Sequence, residues 1–250
     1  MAVYRCDGSF EGILCAVGEC LETGEGQPEF VEEGDVQAVG LFAGDICEVA
    51  TERERAVALR MRFVEVVSQE AFATARYAFH NQRSGIERLV WRYLVLGLKV
   101  GRRLCLMLAE EPIHSVNRIA RQVSHEARRY KGFVRFREVE DGFLYAQIEP
   151  EADILPFIAP HFVERVGDRP WMIHDLRRNQ AAVFNLESWR LVSDIKLTAE
   201  PGICEAERDY AALWQRYFQR HTIAERHNSK LQQNHVPLRY RKHLVEFTVR

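Results

Sequence analysis

The chain has 250 residues, 47% of them hydrophobic and 28% charged, with a formal net charge of −2. That length buries a real core in one large domain or two small ones, and the composition is that of an ordinary soluble globular protein. Met1 to Phe10 lacks the basic and apolar runs of a secretory signal, and the longest greasy segment, Leu89 to Leu108, is broken by Arg92, Lys99, Arg102 and Arg103, which argues against a membrane span and for a cytoplasmic location.

In chain order, Val3 to Cys6 reads as a short strand ending at Asp7-Gly8, and Ser9 is placed to cap a helix through Phe10, Ile13, Leu14, Val17 and Leu21. Thr23 to Pro28 reads as a loop. Val36 to Val49 reads as one or two strands punctuated by Gly40 and Gly44. From Thr51 to His80 the pattern is helical, with Val57, Met61, Val64 and Val67 marking one stripe at spacings of four and three, and Phe72 and Phe79 further on. Asn81 to Gly85 is the best linker candidate, dividing an N-terminal α+β module (1–80) from a larger C-terminal domain (84–250).

Beyond the linker, Ile86, Leu89, Val90, Tyr93, Leu94 and Gly97 form one helical face. A second helix follows Pro112, with Ile113, Val116, Ile119, Ala120, Val123 and Ala127 inward, and Gly132 is expected to stop it. Phe133 to Val139 and Phe143 to Ile148 flank Asp141-Gly142, a hairpin signal. Asp153 is expected to cap a short helix through Phe162. Trp171 to Leu176 pairs in expectation with Ala181 to Phe184, and Trp189 to Ile195 adds a further strand. Ile203, Ala206, Tyr210, Leu213, Trp214, Tyr217 and Phe218 make a last amphipathic helix. Helices mixed with hairpins, without regular βαβ alternation, argue for the α+β class.

The small net charge hides strong segregation. Residues 1–56 carry −10, residues 57–147 +7, residues 148–207 −5 and residues 208–250 +6. A basic face built from such blocks suits a polyanion, which the acidic leader would repel, while solvated helices carry charge blocks with no partner at all. Arginine outnumbers lysine 29 to 5. Guanidinium forks suit phosphate and base-edge contacts, although a GC-rich coding bias gives the same ratio.

Four constellations carry chemistry. On an extended strand Phe133, Arg135 and Arg137 share a face, setting a stacking ring beside two guanidiniums, which suits a nucleobase and its phosphate. The structural alternative pairs both arginines with Glu138 and Glu149. His174-Asp175, followed by Arg177 and Arg178, offers acid/base work beside anion binding, but neighbours on a strand point to opposite faces. His161 sits in a rigid, proline-flanked segment. Were Glu149, His161 and His174 to converge, an acid/base site would result. Finally Arg226, Asn228 and Lys230, with Arg239, Tyr240, Arg241 and Lys242, form a basic-aromatic tail suited to phosphate. Six scattered cysteines fit reduced thiols, and the absence of Cys-x-x-Cys and His-Glu-x-x-His motifs gives no support for a metal or other cofactor. Neither a P-loop, a GxGxxG nor a GxSxG elbow is present, so nucleotide hydrolysis and serine hydrolase chemistry are poor expectations.

Longer motifs run through the chain: Tyr4-x-x-Asp7-Gly8-Ser9-Phe10-Glu11-Gly12, Lys131-Gly132-Phe133-x-Arg135-Phe136, Leu144-Tyr145-Ala146-x-Ile148-Glu149-Pro150 and Leu155-Pro156. Ala159-Pro160-His161-Phe162, Trp171-x-Ile173-His174-Asp175 and Arg226-x-Asn228-x-Lys230-Leu231-Gln232 continue them. In these motifs the chain resembles an uncharacterised bacterial family linked to DNA metabolism and DNA repair. The part from about Ser84 onward also resembles a domain of unknown function found fused behind uracil-DNA-glycosylase-like domains. The resemblance implies a role on DNA and a radical-SAM protein as partner, without an established reaction. Val236 and Arg241 depart from the Met and Trp expected at such positions.

The expectation is therefore an α+β factor of DNA repair or modification. It contacts nucleic acid through Arg135, Arg137, Arg177, Arg178 and the tail, with Glu149, His161, His174 and Asp175 as the acid/base set if it is an enzyme. The rival is a non-catalytic adaptor that docks the radical-SAM protein or a glycosylase through the acidic leader.

Overall fold

An Asx turn and a serine cap set the first helix. Asp7 Oδ1 accepts from the Ser9 amide at 3.0 Å and from Ser9 Oγ at 2.6 Å, and Ser9 Oγ accepts from the Gly12 amide at 2.9 Å. In the computed structural model, which describes residues 3–24, 29–30, 46–139, 142–195, 202, 204–220 and 228–247, this cap begins α1 (Phe10–Thr23). Its Phe10, Ile13, Leu14 and Val17 are all buried, as a helical stripe requires. Gly24 closes it at φ 65°, a left-handed position that a side chain would resist.

The chain forms two units, Met1–Ser124 and His125–Arg250. In the first, β1 (Val3–Arg5) is the middle of a parallel three-stranded sheet, between β2 (Glu29–Phe30) and β3 (Ile46–Glu48). Residues 31–45, and with them most of the strand expected over Val36 to Val49, lie outside the described residues. The helical run expected from Thr51 to His80 is two helices, α2 (Arg53–Val66) and α3 (Gln69–Phe79). The break falls at Ser68, whose hydroxyl accepts from the Ala71 amide at 3.1 Å and so starts a new helix.

The buried stripe of α2 also differs from expectation. Val57 and Met61 are 46% and 67% exposed, while Ala56, Leu59 and Phe63 are buried. Phe63 decides the rotation: its ring lies 6.0 Å from Phe72 and 6.4 Å from Tyr93, and burying it stabilises the fold by about 1.5–3 kcal/mol. α4 (Ile86–Val100) answers with Gly97, where an added Cβ would stand 2.6 Å from the Phe63 ring. One apolar cluster runs from Tyr4 to Ala120 through these helices and the first half of α5 (Ile113–Phe133).

The second unit is built on a five-stranded sheet of order β4-β5-β6-β7-β8: Arg137–Glu138, Leu144–Ile148, Trp171–Asp175, Gln180–Phe184 and Trp189–Ser193. Neighbouring strands are antiparallel except β5 and β6, which run parallel through the crossover helix α6 (Leu155–Arg165). Pro156 sits in the first turn of α6, where its missing N–H costs nothing, and Ile154 rather than Asp153 occupies the cap position. α6 lies against β6, β7 and β8. Their shared core is Ile158, Phe162, Trp171, Ile173 and Phe184, all at most 3% exposed.

α5 runs through Gly132 and ends at Phe133, so β4 is only two residues long. The alternation expected of Phe133, Arg135 and Arg137 on one strand is therefore absent, because helical backbone bonds continue to Val134 N–H···O=C Tyr130 at 3.0 Å. α7 (Glu205–Arg220), α8 (Ser229–His235) and α9 (Leu238–Arg241) complete the unit. The α+β class holds. Among the described residues no helix is long and apolar enough to cross a membrane.

Candidate functional site

In a parallel pair with a helical crossover, polar groups at the carboxyl ends of the strands face a crevice that the helix does not fill. β5 and β6 end at Ile148 and Asp175, which are register partners. Tyr145 and Gln147 on β5 lie opposite Met172 and His174 on β6, so these four share the face away from Trp171 and Ile173. The Tyr145 hydroxyl and His174 Nδ1 are 2.8 Å apart, and Gln147 Nε2 donates to the same hydroxyl at 3.3 Å. With Gln147 donating to it, the hydroxyl donates to Nδ1 or accepts from it according to the ring's tautomer, and the second ring nitrogen is Nε2. That nitrogen is buried and makes no hydrogen bond of standard geometry. Burial holds the His174 pKa below 6.5, offset in part by the neighbouring Asn179 side chain and by the charge of Asp175. The imidazole is thus neutral at pH 7, with the Asn179 side chain beside it.

Asp175 points the other way and does different work. Its carboxylate is fully buried and accepts from the amides of Arg177 at 2.9 Å and Arg178 at 3.3 Å, and from Arg178 Nη1 at 3.0 Å. The Arg178 fork continues to the carbonyls of Pro150 at 3.1 Å and Glu151 at 2.5 Å. Glu126 on α5 takes the amides of Glu151 and Ala152, each at 2.9 Å. Burial raises the Asp175 pKa and Arg178 opposes it. This network ties the loop after β5 to the turn after β6.

The tail folds onto that same loop. Glu149 pairs with Lys242 and, at 3.2 Å, with His243; Lys242 is the main reason its pKa is low. Arg239 pairs with Glu151. Arg241 donates through Nε to the Val236 carbonyl at 3.0 Å and lies 4.5 Å from the Phe247 ring centroid. Arg135 is held by Glu246 at 2.9 Å and by the Gly132 carbonyl at 2.8 Å. The Phe133 ring packs on Tyr240 at 5.0 Å, so both belong to a local aromatic cluster with Tyr130. Asn228 caps α8 through Leu231 N–H at 2.9 Å, and Arg226 lies outside the described residues. The side chains of Arg137, Arg177 and Lys230 make no hydrogen bond or ion pair among the described residues.

The four expected acid/base residues are not joined to one another by any hydrogen bond among the described residues. His161 stands on α6, its ring 5.1 Å from Phe162, and burial with the positive charges of Lys131 and Arg165 lowers its pKa. Nor do three His, Cys, Asp or Glu side chains gather as a metal site among the described residues.

A feature the sequence reading missed lies beside α6. A cleft of about 640 Å³ is lined by Phe136, Phe162 and Trp214 and, among charged groups, by Arg135, Arg165 and Glu207. α7 supplies its outer wall. The apolar stripe of that amphipathic helix is largely open to solvent, with Tyr210 70%, Leu213 58%, Trp214 46% and Tyr217 53% exposed. The signal was present in composition, since an amphipathic stripe that carries Tyr210, Trp214 and Tyr217 fits a half-wet surface as well as a core.

No curated protein is recognisably similar to the chain. A family model described as a domain of unknown function, DUF4130, matches residues 84–246, more than half of the sequence. The chain therefore belongs to the DUF4130 family, and the matched residues take in the cleft, the Tyr145–His174 pair and the Asp175–Arg178 network.

Proposed function

We propose that this chain is a nucleic-acid-binding factor of DNA repair or DNA modification, acting in the cytoplasm with a radical-SAM protein or a uracil-DNA-glycosylase-like enzyme. The observation that carries this reading is the cleft beside α7, where the solvent-exposed rings of Tyr210 and Trp214 share one surface with the guanidinium of Arg165. Rings stack on bases and guanidiniums hold phosphates, which together favour a nucleic acid over an uncharged ligand. The motif resemblance to DNA-linked proteins points the same way. The reactive group of this reading is His174, presented by Tyr145 at the carboxyl end of the parallel pair.

The test is binding of the purified chain to labelled DNA across a salt series. A linear fall of log affinity with log salt, by about 0.7–0.9 per phosphate contact, is expected. No binding at low salt sinks the reading. The adaptor alternative is favoured by the ion pairs that neutralise Arg135, Arg239 and Lys242. It predicts instead a complex with the radical-SAM protein that forms without DNA and is lost when residues 1–56 are removed.

A further inference from the structure

We propose that the cleft beside α7 takes one unpaired nucleotide of single-stranded DNA, with its base stacked on Trp214 and its phosphate on Arg165. This rests on the nucleic-acid reading above and adds the substrate class.

The geometry restricts the ligand. Trp214 and Tyr217 are already stacked on each other, with centroids 5.6 Å apart and planes 20° apart, so no base fits between them. They form a single platform, and Trp214, which lines the cleft, has one ring face not taken by Tyr217. Trp214 Nε1 donates to Glu246 Oε2 at 3.4 Å, and Arg135 holds the same carboxylate through Oε1 at 2.9 Å, which fixes the indole in place. A platform fixed in advance loses little rotamer freedom on binding. Phe136 and Phe162, whose rings meet at 5.3 Å, floor the cleft with apolar surface. Its volume lies in the range of small-ligand sites, enough for a nucleotide and not for a double helix.

The charges sort in the same way. Arg135 is neutralised by Glu246, and Glu207 accepts from the Glu138 amide at 3.3 Å. Arg165 is exposed and makes no hydrogen bond or ion pair among the described residues. It stands on α6 at the wall of the cleft that also holds Phe162 and Val166, so that side carries an uncompensated cation among the described residues. A phosphate beside a stacked base meets that side. In a duplex both faces of each base are already covered by neighbours, so only an unpaired or extruded base can occupy the platform.

The experiment measures fluorescence anisotropy of a short mixed-sequence single strand and of the matching duplex, at low salt and across a salt series. Wild type is compared with Trp214→Ala, Trp214→Phe and Arg165→Gln, each checked by circular dichroism for folding. The expected result is tighter binding of the single strand by about tenfold or more, and a loss of roughly fivefold to a hundredfold in Trp214→Ala that Trp214→Phe largely restores. Arg165→Gln is expected to reduce the salt slope by about 0.7. Equal binding of both forms, or single-strand binding unchanged in Trp214→Ala, overturns this inference and leaves the nucleic-acid reading standing. Absence of binding to either form removes both.

Discussion

The two units bury different kinds of residue. Among the described residues all four buried polar or charged ones, Glu126, Asp153, His174 and Asp175, belong to His125–Arg250. The Met1–Ser124 unit has a mainly apolar core, knitted by Phe10, Phe63, Phe72 and Tyr93, whose hydroxyl donates to the Ala71 carbonyl at 3.4 Å. An apolar core resists small changes in shape, whereas a buried polar network fails when one partner is lost. The difference teaches where specificity resides. The first unit follows the general rule that apolar area drives folding, and the second spends part of its interior on groups that need named partners.

The largest expected effect tests the network directly. Asp175→Ala leaves the Arg178 fork, whose side chain is 12% exposed, on its carbonyl acceptors without the carboxylate that balances its charge. Breaking a buried pair in this way costs about 3–5 kcal/mol, read as a shifted denaturant midpoint. A loss below about 1 kcal/mol would show that water replaces the carboxylate and that the network is dispensable.

Next in size is the apolar unit. Gly97→Ala drives a methyl group to 2.6 Å from the Phe63 ring, and overpacking of this kind costs about 1–3 kcal/mol. The double variant Gly97→Ala, Phe63→Leu should recover part of that loss in the same unfolding assay. No recovery would locate the strain elsewhere.

The smallest effect concerns protons. Burial lowers the pKa values of His161, His174 and His243 in the folded chain below the ordinary 6.5. Below pH 6.5 the unfolded state then binds more protons than the folded state. The stability that neutral rings contribute is complete above pH 6.5 and is lost as pH falls through it toward the lowered values. His174→Gln should flatten this acid-side slope, by at most about 1.4 kcal/mol per pH unit for one proton. An unchanged slope assigns the effect to His161 and His243.

Much of the fold is readable in the sequence. The Ser9 cap, the strand pair of Trp171–Asp175 with Gln180–Phe184, and the last long helix all stand near their expected places. The opposition of His174 and Asp175 also follows from strand parity alone, and the two carry out unrelated tasks on opposite faces. Harder to read were the rotation of α2 and the helical end at Phe133. There weak local preferences yielded to the packing of Phe63 and to one further turn of backbone bonds. The candidate site was less readable still. The sequence marks Arg135, Arg239 and Lys242 as cations for phosphate, yet each meets a carboxylate in the folded chain.

The sequence by itself determined whatever depends on neighbours a few positions apart: caps, strand alternation, amphipathic spacing and the overall α+β class. Only the tertiary structure decided which charges stay free. The partners of Arg135, Arg239 and Lys242 stand 111, 88 and 93 residues away, and no local pattern encodes a contact of that separation. The open rings of α7 are a decision of the same kind, because a helix's own spacing fixes which residues share a face, and the surrounding chain fixes whether that face is covered.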